Sequence, residues 1–224
     1  MKIAENIDTL NHEIGAYPCR LVAISKTKTV EEIREAYRVG QRIFGENKVQ
    51  ELTAKHEALP KDIEWHMVGH LQTNKVKYIA PFVALIHSVD SWKLLREINK
   101  QAGNSNRQIS CLLQVHIAEE ETKYGFSREE LFHLLGHEDL SKLENIRITG
   151  LMGMATFTDD EEKVRREFRS LKSMFNDVAQ HVRQERVEMK ELSMGMSGDY
   201  KIAMEEGSTL VRIGTAVFGE RTQV

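Results

Sequence analysis

One lysine near the start of the chain follows an apolar run directly. The run Leu21–Ile24 reads LVAI, and Ser25 and Lys26 come next in LVAISKTK. Burial of an amine at the end of a strand lowers its pKa and makes it a better nucleophile toward a carbonyl. Lys28 lies two positions further on, and only one of the two lysines is expected to face inward. The position closer to the strand, Lys26, is favoured.

Small and polar residues follow the last two apolar runs of the chain. The segment 195–199 reads GMSGD, and its glycines let backbone N–H groups approach an anion, while Ser197 adds a hydroxyl donor. Arg212, Gly214 and Thr215 stand at the end of the next run, VRIGTAVFG. The alternative is that these glycines only close turns and that the serine or the aspartate caps a helix.

An amine opposite a phosphate cradle suits an aldehyde that carries a phosphate group. Pyridoxal 5′-phosphate is the obvious candidate for such a ligand. A Schiff-base aldolase acting on a sugar phosphate would use the same two features, so it remains an alternative at this point.

Strand-like and helix-like segments alternate along the chain. Eight short β-rich runs lie at 21–25, 42–45, 64–69, 85–89, 109–117, 146–154, 190–194 and 210–218. Amphipathic stretches lie at 30–39, 48–57, 76–80, 92–102, 128–135, 161–182 and 200–206. This α/β pattern predicts a single (β/α)8 TIM barrel. An open doubly wound sheet is the alternative, but it usually has a glycine-rich turn after its first strand, where this chain has SKTK.

The two ends of the chain complete the expected barrel. Ile3, Ile7, Leu10 and Ile14 have helical spacing, which predicts an extra N-terminal helix. No helix is predicted after the eighth strand, and the N-terminal helix is expected to cover that gap. One domain spanning residues 1–224 is predicted. The methionines at 152, 154, 194 and 196 recur with period two and are expected to fill the barrel core.

Composition excludes several classes of protein. The formal net charge is −3, which gives no reason to expect nucleic acid as a partner. No apolar run reaches the ~18 residues of a membrane span, and no signal peptide is recognisable. Cys19 and Cys111 form neither a disulfide framework nor a metal motif. His133 and His137 are four apart, but Leu134 replaces the glutamate of a zinc protease. We therefore expect a cytoplasmic protein without a metal.

Seven motifs in order resemble the pyridoxal-phosphate homeostasis protein family. They are LVAISKTK, FGENKVQE, WHMVGHLQTNK, TKYGF, GLMGMAT, LSMGMSGDY and VRIGTAVFG, and they extend from about Leu21 to Gly219. The sequence differs at Thr29, where a proline often follows SKTK, and at His70. Neither position touches the expected site.

The resemblance implies a barrel of the alanine racemase N-terminal type that binds pyridoxal phosphate as an internal aldimine on Lys26. It also implies that Ser197, Gly214 and Thr215 hold the phosphate and that Arg212 lies near the pyridine nitrogen. Asn47 of FGEN would lie at the edge of the cofactor. Met196, within the cradle, completes the set of expected cofactor-binding residues.

The resemblance further implies a carrier that buffers vitamin B6 and amino-acid pools and could deliver cofactor to apo pyridoxal-phosphate enzymes. Related racemases add a β-domain that supplies a tyrosine base across a dimer interface, and no such domain follows Gly219. A racemase needs acid/base groups on both faces of the cofactor. Arginine at the ring nitrogen also makes the ring a weaker electron sink than aspartate does. We expect a monomer without efficient turnover; a pyridoxal-phosphate-dependent racemase or lyase is the alternative.

Overall fold

A computed structural model describes residues 2–119 and 124–219. Eight parallel strands form a closed barrel in chain order, and β8 pairs with β1. The strands are β1 (Arg20–Ile24), β2 (Ile43–Glu46), β3 (Glu64–Met67), β4 (Leu85–Val89), β5 (Ile109–Gln114), β6 (Ile146–Met152), β7 (Val187–Ser193) and β8 (Leu210–Ile213). The helices are α1 (Lys2–Ile14), α2 (Val30–Arg38), α3 (Val49–Ala58), α4 (Val76–Ile79), α5 (Trp92–Asn104), α6 (Arg128–Leu135), α7 (Glu161–His181), α8 (Tyr200–Glu205) and α9 (Thr215–Phe218). The predicted (β/α)8 barrel with an N-terminal helix is confirmed.

Each strand has one face toward the helices and one toward the barrel interior, because side chains alternate along a strand. On β1, Leu21 and Ala23 pack in the large core between sheet and helices. Val22 and Ile24 instead join Leu85 and other apolar residues in a small cluster inside the barrel. By the same alternation, residue 26 is the next position after Val22 and Ile24 that faces the interior, and it lies at the carboxyl end of the barrel.

The carboxyl end of the chain differs from the prediction. The sequence predicts a strand from 210 to 218 with no helix after it, but β8 ends at Ile213. Gly214 has α-region angles, and its carbonyl accepts the N–H groups of Val217 and Phe218, which starts α9. Four residues are too few to display a helical period. The expected role of α1 agrees with the structure, since the Asn6 amide donates to the Val217 carbonyl at 2.9 Å.

The prediction that all four methionines fill the barrel core is wrong for two of them. Met152 and Met194 are buried. Met154 and Met196 are 41% and 37% exposed, respectively. Both lie beyond the end of their strand, because β6 stops at Met152 and β7 at Ser193. The period of two therefore continues in the sequence after the strand itself has ended.

Two further findings concern the surface and the cysteines. Of the helices within residues 2–119 and 124–219, none has the length and apolar character needed to cross a membrane. Cys19 and Cys111 are both unpaired, and Cys111 is buried within β5. Thr29, one of the two departures from the family motifs, is the N-cap of α2 and forms a capping box in which its side chain and Glu32 bond reciprocally.

A buried ion pair joins the ends of β1 and β2. Glu46, the last residue of β2, is fully buried and accepts from Nζ of Lys55 on α3 at 2.7 Å. The same Nζ donates to the Ser25 carbonyl at 2.7 Å, and the Ser25 hydroxyl donates to Glu46 at 2.6 Å. Burial raises the pKa of Glu46, which Lys55 opposes. Because Ser25 directly precedes Lys26, this network fixes the point at which β1 ends.

Glu51, also on α3, holds the next turn. Its Oε2 accepts the Thr27 N–H at 2.8 Å and lies 3.2 Å from Nζ of Lys55. Thr27 has φ +65°, a left-handed conformation that is strained for a β-branched residue. The backbone therefore changes direction immediately after Lys26, in a turn that Glu51 stabilises.

Lys55→Met tests this network. It removes the cation from a buried carboxylate, which keeps only the Ser25 hydroxyl, and it removes the donor to the Ser25 carbonyl, so we expect a loss of about 3–5 kcal/mol in the free energy of unfolding. Urea denaturation measures it. Arg128→Ala is the control, because it breaks an exposed ion pair with Asp177 and should cost at most about 1 kcal/mol. Equal losses in the two variants would contradict the role given to Lys55.

Candidate functional site

A cavity of about 580 Å³ opens at the carboxyl ends of the strands. This volume lies within the range typical of small-molecule sites. All seven residues predicted from the sequence line it: Lys26, Asn47, Met196, Ser197, Arg212, Gly214 and Thr215. The loop after β6 adds Met154, Thr156, Phe157 and Asp159 to the lining. The structure thus brings together side chains that are up to 189 positions apart.

The structure distinguishes the two candidate lysines. Lys26 is half-buried and lines the cavity. Lys28 points away from it: its Nζ donates to the Phe218 carbonyl at 3.3 Å and lies 3.4 Å from Glu32. Lys26 has the same strand parity as Val22 and Ile24, which both face the barrel interior. Its placement follows from the alternation along β1.

The segment 195–199 forms a tight loop between β7 and α8. Gly195 has φ +95°, and a Cβ there would lie only 2.5 Å from Cβ of Ala203, so glycine is required. The Asp199 carboxylate accepts the Met196 N–H at 2.5 Å and makes no capping bond to α8. Burial raises the pKa of Asp199. Asp199 thus occupies the N-cap position of α8, as the alternative predicted, but its side chain bonds back into the loop, and Ser197 lies on the cavity wall.

Gly214 and Thr215 contribute the neighbouring wall. A Cβ on Gly214 would meet the Ile24 carbonyl oxygen at 3.2 Å, so the absence of a side chain lets the end of β8 lie close to the end of β1. Thr215 begins α9, and the first N–H groups of a helix have no partner within the helix itself. Hydroxyl and backbone donors from two consecutive strand ends thus line the same part of the cavity, which suits an anion.

Arg212 is buried, and its guanidinium lies between the cavity and the barrel interior. Nη1 donates to the Ser193 hydroxyl at 2.6 Å, and Nη2 donates to the Gly153 carbonyl at 3.0 Å. Burial lowers the pKa of Arg212 to about 10, and Asp199 opposes this shift. A guanidinium with that pKa is still charged at neutral pH. The cavity therefore has a buried cation at its base.

The loop after β6 contributes to the cavity in a way that the sequence does not predict. The Thr156 N–H and hydroxyl donate to the two oxygens of Glu167, both at 2.7 Å, and Glu167 is a buried residue of α7. Its Oε1 also accepts the Glu119 N–H at 3.2 Å. These bonds hold the loop against the cavity. The motif GLMGMAT marks this segment, but its sequence does not reveal that a glutamate on the next helix orders it.

Other sequence features lie away from the cavity. Among residues 2–119 and 124–219, no group of three or more His, Cys, Asp or Glu side chains could hold a metal ion. His137 stacks on Trp92 and accepts the Asp139 N–H at 3.1 Å, which is a structural role. Thr122 and Lys123 of the TKYGF motif lie outside the described residues.

The chemistry of the lining fits a phosphorylated aldehyde. Lys26 supplies a primary amine, Arg212 supplies a second cation, and Ser197 and Thr215 supply hydroxyl donors. Gly198 opens onto free space, since a Cβ there would meet nothing within 4 Å, so the loop backbone is accessible to a ligand. One cavity thus contains both features that the sequence predicts for binding a phosphorylated aldehyde: hydrogen-bond donors for an anion and a primary amine.

Comparisons with known proteins agree with this fold. The model for "Alanine racemase, N-terminal domain" matches residues 1–222. A pyridoxal phosphate homeostasis protein of Aquifex aeolicus is 44% identical over 92% of this chain and 89% of its own. One from Vibrio alginolyticus is 40% identical over 98% and 97%, respectively.

Solved structures are also similar. PipY of Synechococcus elongatus without PLP has a TM-score of 0.90 at 36% identity, covering 97% of this chain and 100% of that one. The same protein with PLP bound has a TM-score of 0.86 at 35% identity, with the same coverage. An alanine racemase from Streptomyces lavendulae shares the fold, with a TM-score of 0.77 at 17% identity over 99% of this chain and 58% of its own. On this evidence the chain belongs to the alanine racemase N-terminal domain family and, within it, is similar to the pyridoxal phosphate homeostasis proteins.

Proposed function

We propose that this protein binds pyridoxal 5′-phosphate reversibly through Lys26 and acts as a cofactor carrier in vitamin B6 homeostasis. The observation that carries the proposal is the shared cavity in which the Lys26 amine, the Arg212 guanidinium and the loop 195–199 meet. PipY, 35% identical over nearly the whole chain, has been solved with PLP bound, which supports the choice of ligand.

Each residue has a distinct role in this proposal. Pyridoxal phosphate has an aldehyde, which condenses with a primary amine. It also has a conjugated ring, which absorbs near-ultraviolet and visible light. Lys26 offers that amine at the end of β1. The hydroxyls of Ser197 and Thr215 would donate to the phosphate, and Gly214 would let it approach the backbone. Met196, whose N–H donates to Asp199, would border the phosphate from the loop 195–199. Arg212 donates toward the ring nitrogen, and Asn47 borders the ring from the end of β2.

The composition of the cavity wall supports a carrier over an amino acid racemase. Its ionisable side chains, among the residues that the structure describes, are Lys26, Asp159, Asp199 and Arg212. Neither tyrosine nor histidine is among them, and Asp199 is engaged with a backbone N–H. A racemase needs an acid/base group on each face of the ring. Lys26 is the one amine in place for that chemistry in the described lining.

The proposal extends to the setting of the protein. The two unpaired cysteines agree with a reducing cytoplasm. We propose a monomer that exchanges cofactor with apo pyridoxal-phosphate enzymes, since the bound aldehyde would be released when the bond to Lys26 hydrolyses. Light scattering, and transfer assays with an apo enzyme, test these two points.

Lys26→Ala tests the covalent attachment. After incubation with pyridoxal phosphate and dialysis, we expect the wild type to keep a yellow chromophore and Lys26→Ala to lose most of it. Borohydride reduction followed by peptide mass mapping should label Lys26 alone. Lys28→Ala is the matched control, because its amine contacts Phe218 and Glu32 instead. Full retention of colour by Lys26→Ala would remove this lysine from the site.

The double variant Ser197→Ala/Thr215→Val tests the phosphate cradle. Loss of two hydrogen bonds to a charged group should weaken pyridoxal phosphate binding by at least about tenfold. Binding of pyridoxal, which lacks the phosphate, should be nearly unchanged. Titration followed by absorbance measures both affinities. Thr158→Ala is the control, because it removes a hydroxyl from the part of the lining that the loop after β6 contributes. Parallel losses for the two ligands would place the phosphate elsewhere.

Exchange of the Cα hydrogen of amino acids in deuterated water tests the non-catalytic role. We expect the loaded protein to exchange alanine at least about 100-fold more slowly than the roughly 10 s⁻¹ of an average enzyme. Proton NMR of alanine and other amino acids follows the reaction. Rapid exchange with any of them would favour the alternative, a pyridoxal-phosphate-dependent racemase or lyase.

A further inference from the structure

Four polar side chains form a continuous hydrogen-bonded series inside the barrel. Arg212 Nη1 donates to the Ser193 hydroxyl at 2.6 Å, and that hydroxyl lies 2.9 Å from Nδ1 of His87. Nε2 of His87 lies 3.0 Å from Nδ1 of His66. These residues belong to β8, β7, β4 and β3, and all four are buried.

The alternation along the strands explains why these side chains meet. Leu192 and Met194 pack toward the helices, so Ser193 between them faces the interior. Ile86 likewise faces the helices and leaves His87 inside. Trp65 and Met67 also pack toward the helices, so His66 between them faces the interior. A polar series therefore runs through a space that otherwise holds the apolar interior cluster.

One arrangement of the protons gives each donor between Arg212 and His66 an acceptor within the series. A guanidinium can only donate, so the Ser193 oxygen accepts from it. The oxygen has a second lone pair, so this bond alone does not orient His87. Among the described residues, however, His87 Nδ1 is the acceptor within hydrogen-bond distance of the Ser193 hydroxyl, and the Ser193 proton has a partner only when that nitrogen is unprotonated. His87 therefore carries its proton on Nε2 and donates it to Nδ1 of His66. By the same logic His66 carries its proton on Nε2.

Both imidazoles meet the condition that this direction requires. A neutral imidazole has one donor and one acceptor nitrogen, whereas the protonated form has two donors. Burial lowers the pKa of His66 to about 3. Burial also lowers the pKa of His87 strongly, and His66 and Arg212 add to the shift. Neither ring is charged at neutral pH.

The series connects two openings of the barrel. Arg212 lines the cavity at the carboxyl ends of the strands. His66 lines a second cavity, of about 340 Å³, at the amino ends. Arg20 and Glu64, the first residues of β1 and β3, lie in the wall of that second cavity. The polar series therefore extends between the ligand cavity and the opposite face.

We propose that Ser193, His87 and His66 are positioning residues for Arg212, acting as a one-directional hydrogen-bond relay that holds its guanidinium against the ligand ring. A group that donates a hydrogen bond becomes a better acceptor itself, so donation from Ser193 to His87 strengthens the Ser193 oxygen as an acceptor for Arg212. Ser193 therefore holds Nη1 of Arg212 more firmly than an isolated hydroxyl would. The effect on bound pyridoxal phosphate rests on the proposed function; the relay itself is a property of the ligand-free protein.

The first test uses ligand-free protein labelled with ¹⁵N in histidine. Long-range ¹H–¹⁵N NMR distinguishes the two imidazole tautomers. We expect both His87 and His66 to be neutral at pH 7 with the proton on Nε2. A proton on Nδ1 of His87 would reverse the Ser193 bond and overturn the relay. This result does not depend on whether the protein binds pyridoxal phosphate.

The second test compares two substitutions of His87 in protein loaded with pyridoxal phosphate. Oδ1 of asparagine can replace Nδ1 as acceptor for Ser193, whereas leucine offers no acceptor. We expect His87→Leu to release the ligand about tenfold faster and to shift its absorption maximum. His87→Asn should stay within about threefold of the wild type. Release into an apo-enzyme trap and the visible spectrum provide the two readouts.

Controls make each outcome decisive. Thr149→Val removes another buried hydroxyl, one without a hydrogen-bond partner in the described chain, and should leave release and spectrum unchanged. Equal release rates and spectra for folded His87→Leu and His87→Asn would overturn the proposal. Should His87→Leu fail to fold, Ser193→Ala and its rescue by Ser193→Thr give the same comparison. A wild type that retains no ligand refutes the proposed function, while the NMR result still decides the relay.

Discussion

The site depends on a buried cation, the Arg212 guanidinium, whose hydrogen-bond acceptors are neutral. The Arg212 guanidinium is 5% exposed and donates to a hydroxyl and a carbonyl. Within the described part of the chain, no carboxylate oxygen lies close enough to form an ion pair with it. A buried charge is costly unless it is hydrogen-bonded or paired. The two neutral acceptors offset part of that cost, and the cavity beside Arg212 is accordingly a favourable place for an anionic ligand.

Closure of the barrel determines what lies opposite that cation. β1 and β8 are distant in the sequence but paired in the sheet, with Ala23 opposite Ile213. This pairing brings the end of β1, where Lys26 follows, next to the end of β8, where Gly214 follows. The Glu46–Lys55 pair fixes the end of β1, and Glu51 stabilises the turn after it. The amine thus stands on a constrained backbone beside the anion donors.

Much of this arrangement is encoded in local patterns, and the rest is not. Strand and helix positions follow from periodicity, and the cavity residues follow from the rule that ligands bind at strand carboxyl ends. The sequence misplaces Thr215–Phe218, because a four-residue helix made of apolar residues has the composition of a strand. It also gives no sign of the relay. His66 and His87 are 21 positions apart, and they meet only because their strands are neighbours with a particular register.

The closed sheet has a consequence for self-association. Every strand of the barrel has a neighbour on both sides, so there is no exposed edge at which another copy could add a strand. An empty cavity therefore does not create an aggregation-prone surface of unpaired backbone. The protein can therefore reach a high concentration without offering an unpaired strand to which a second copy could add.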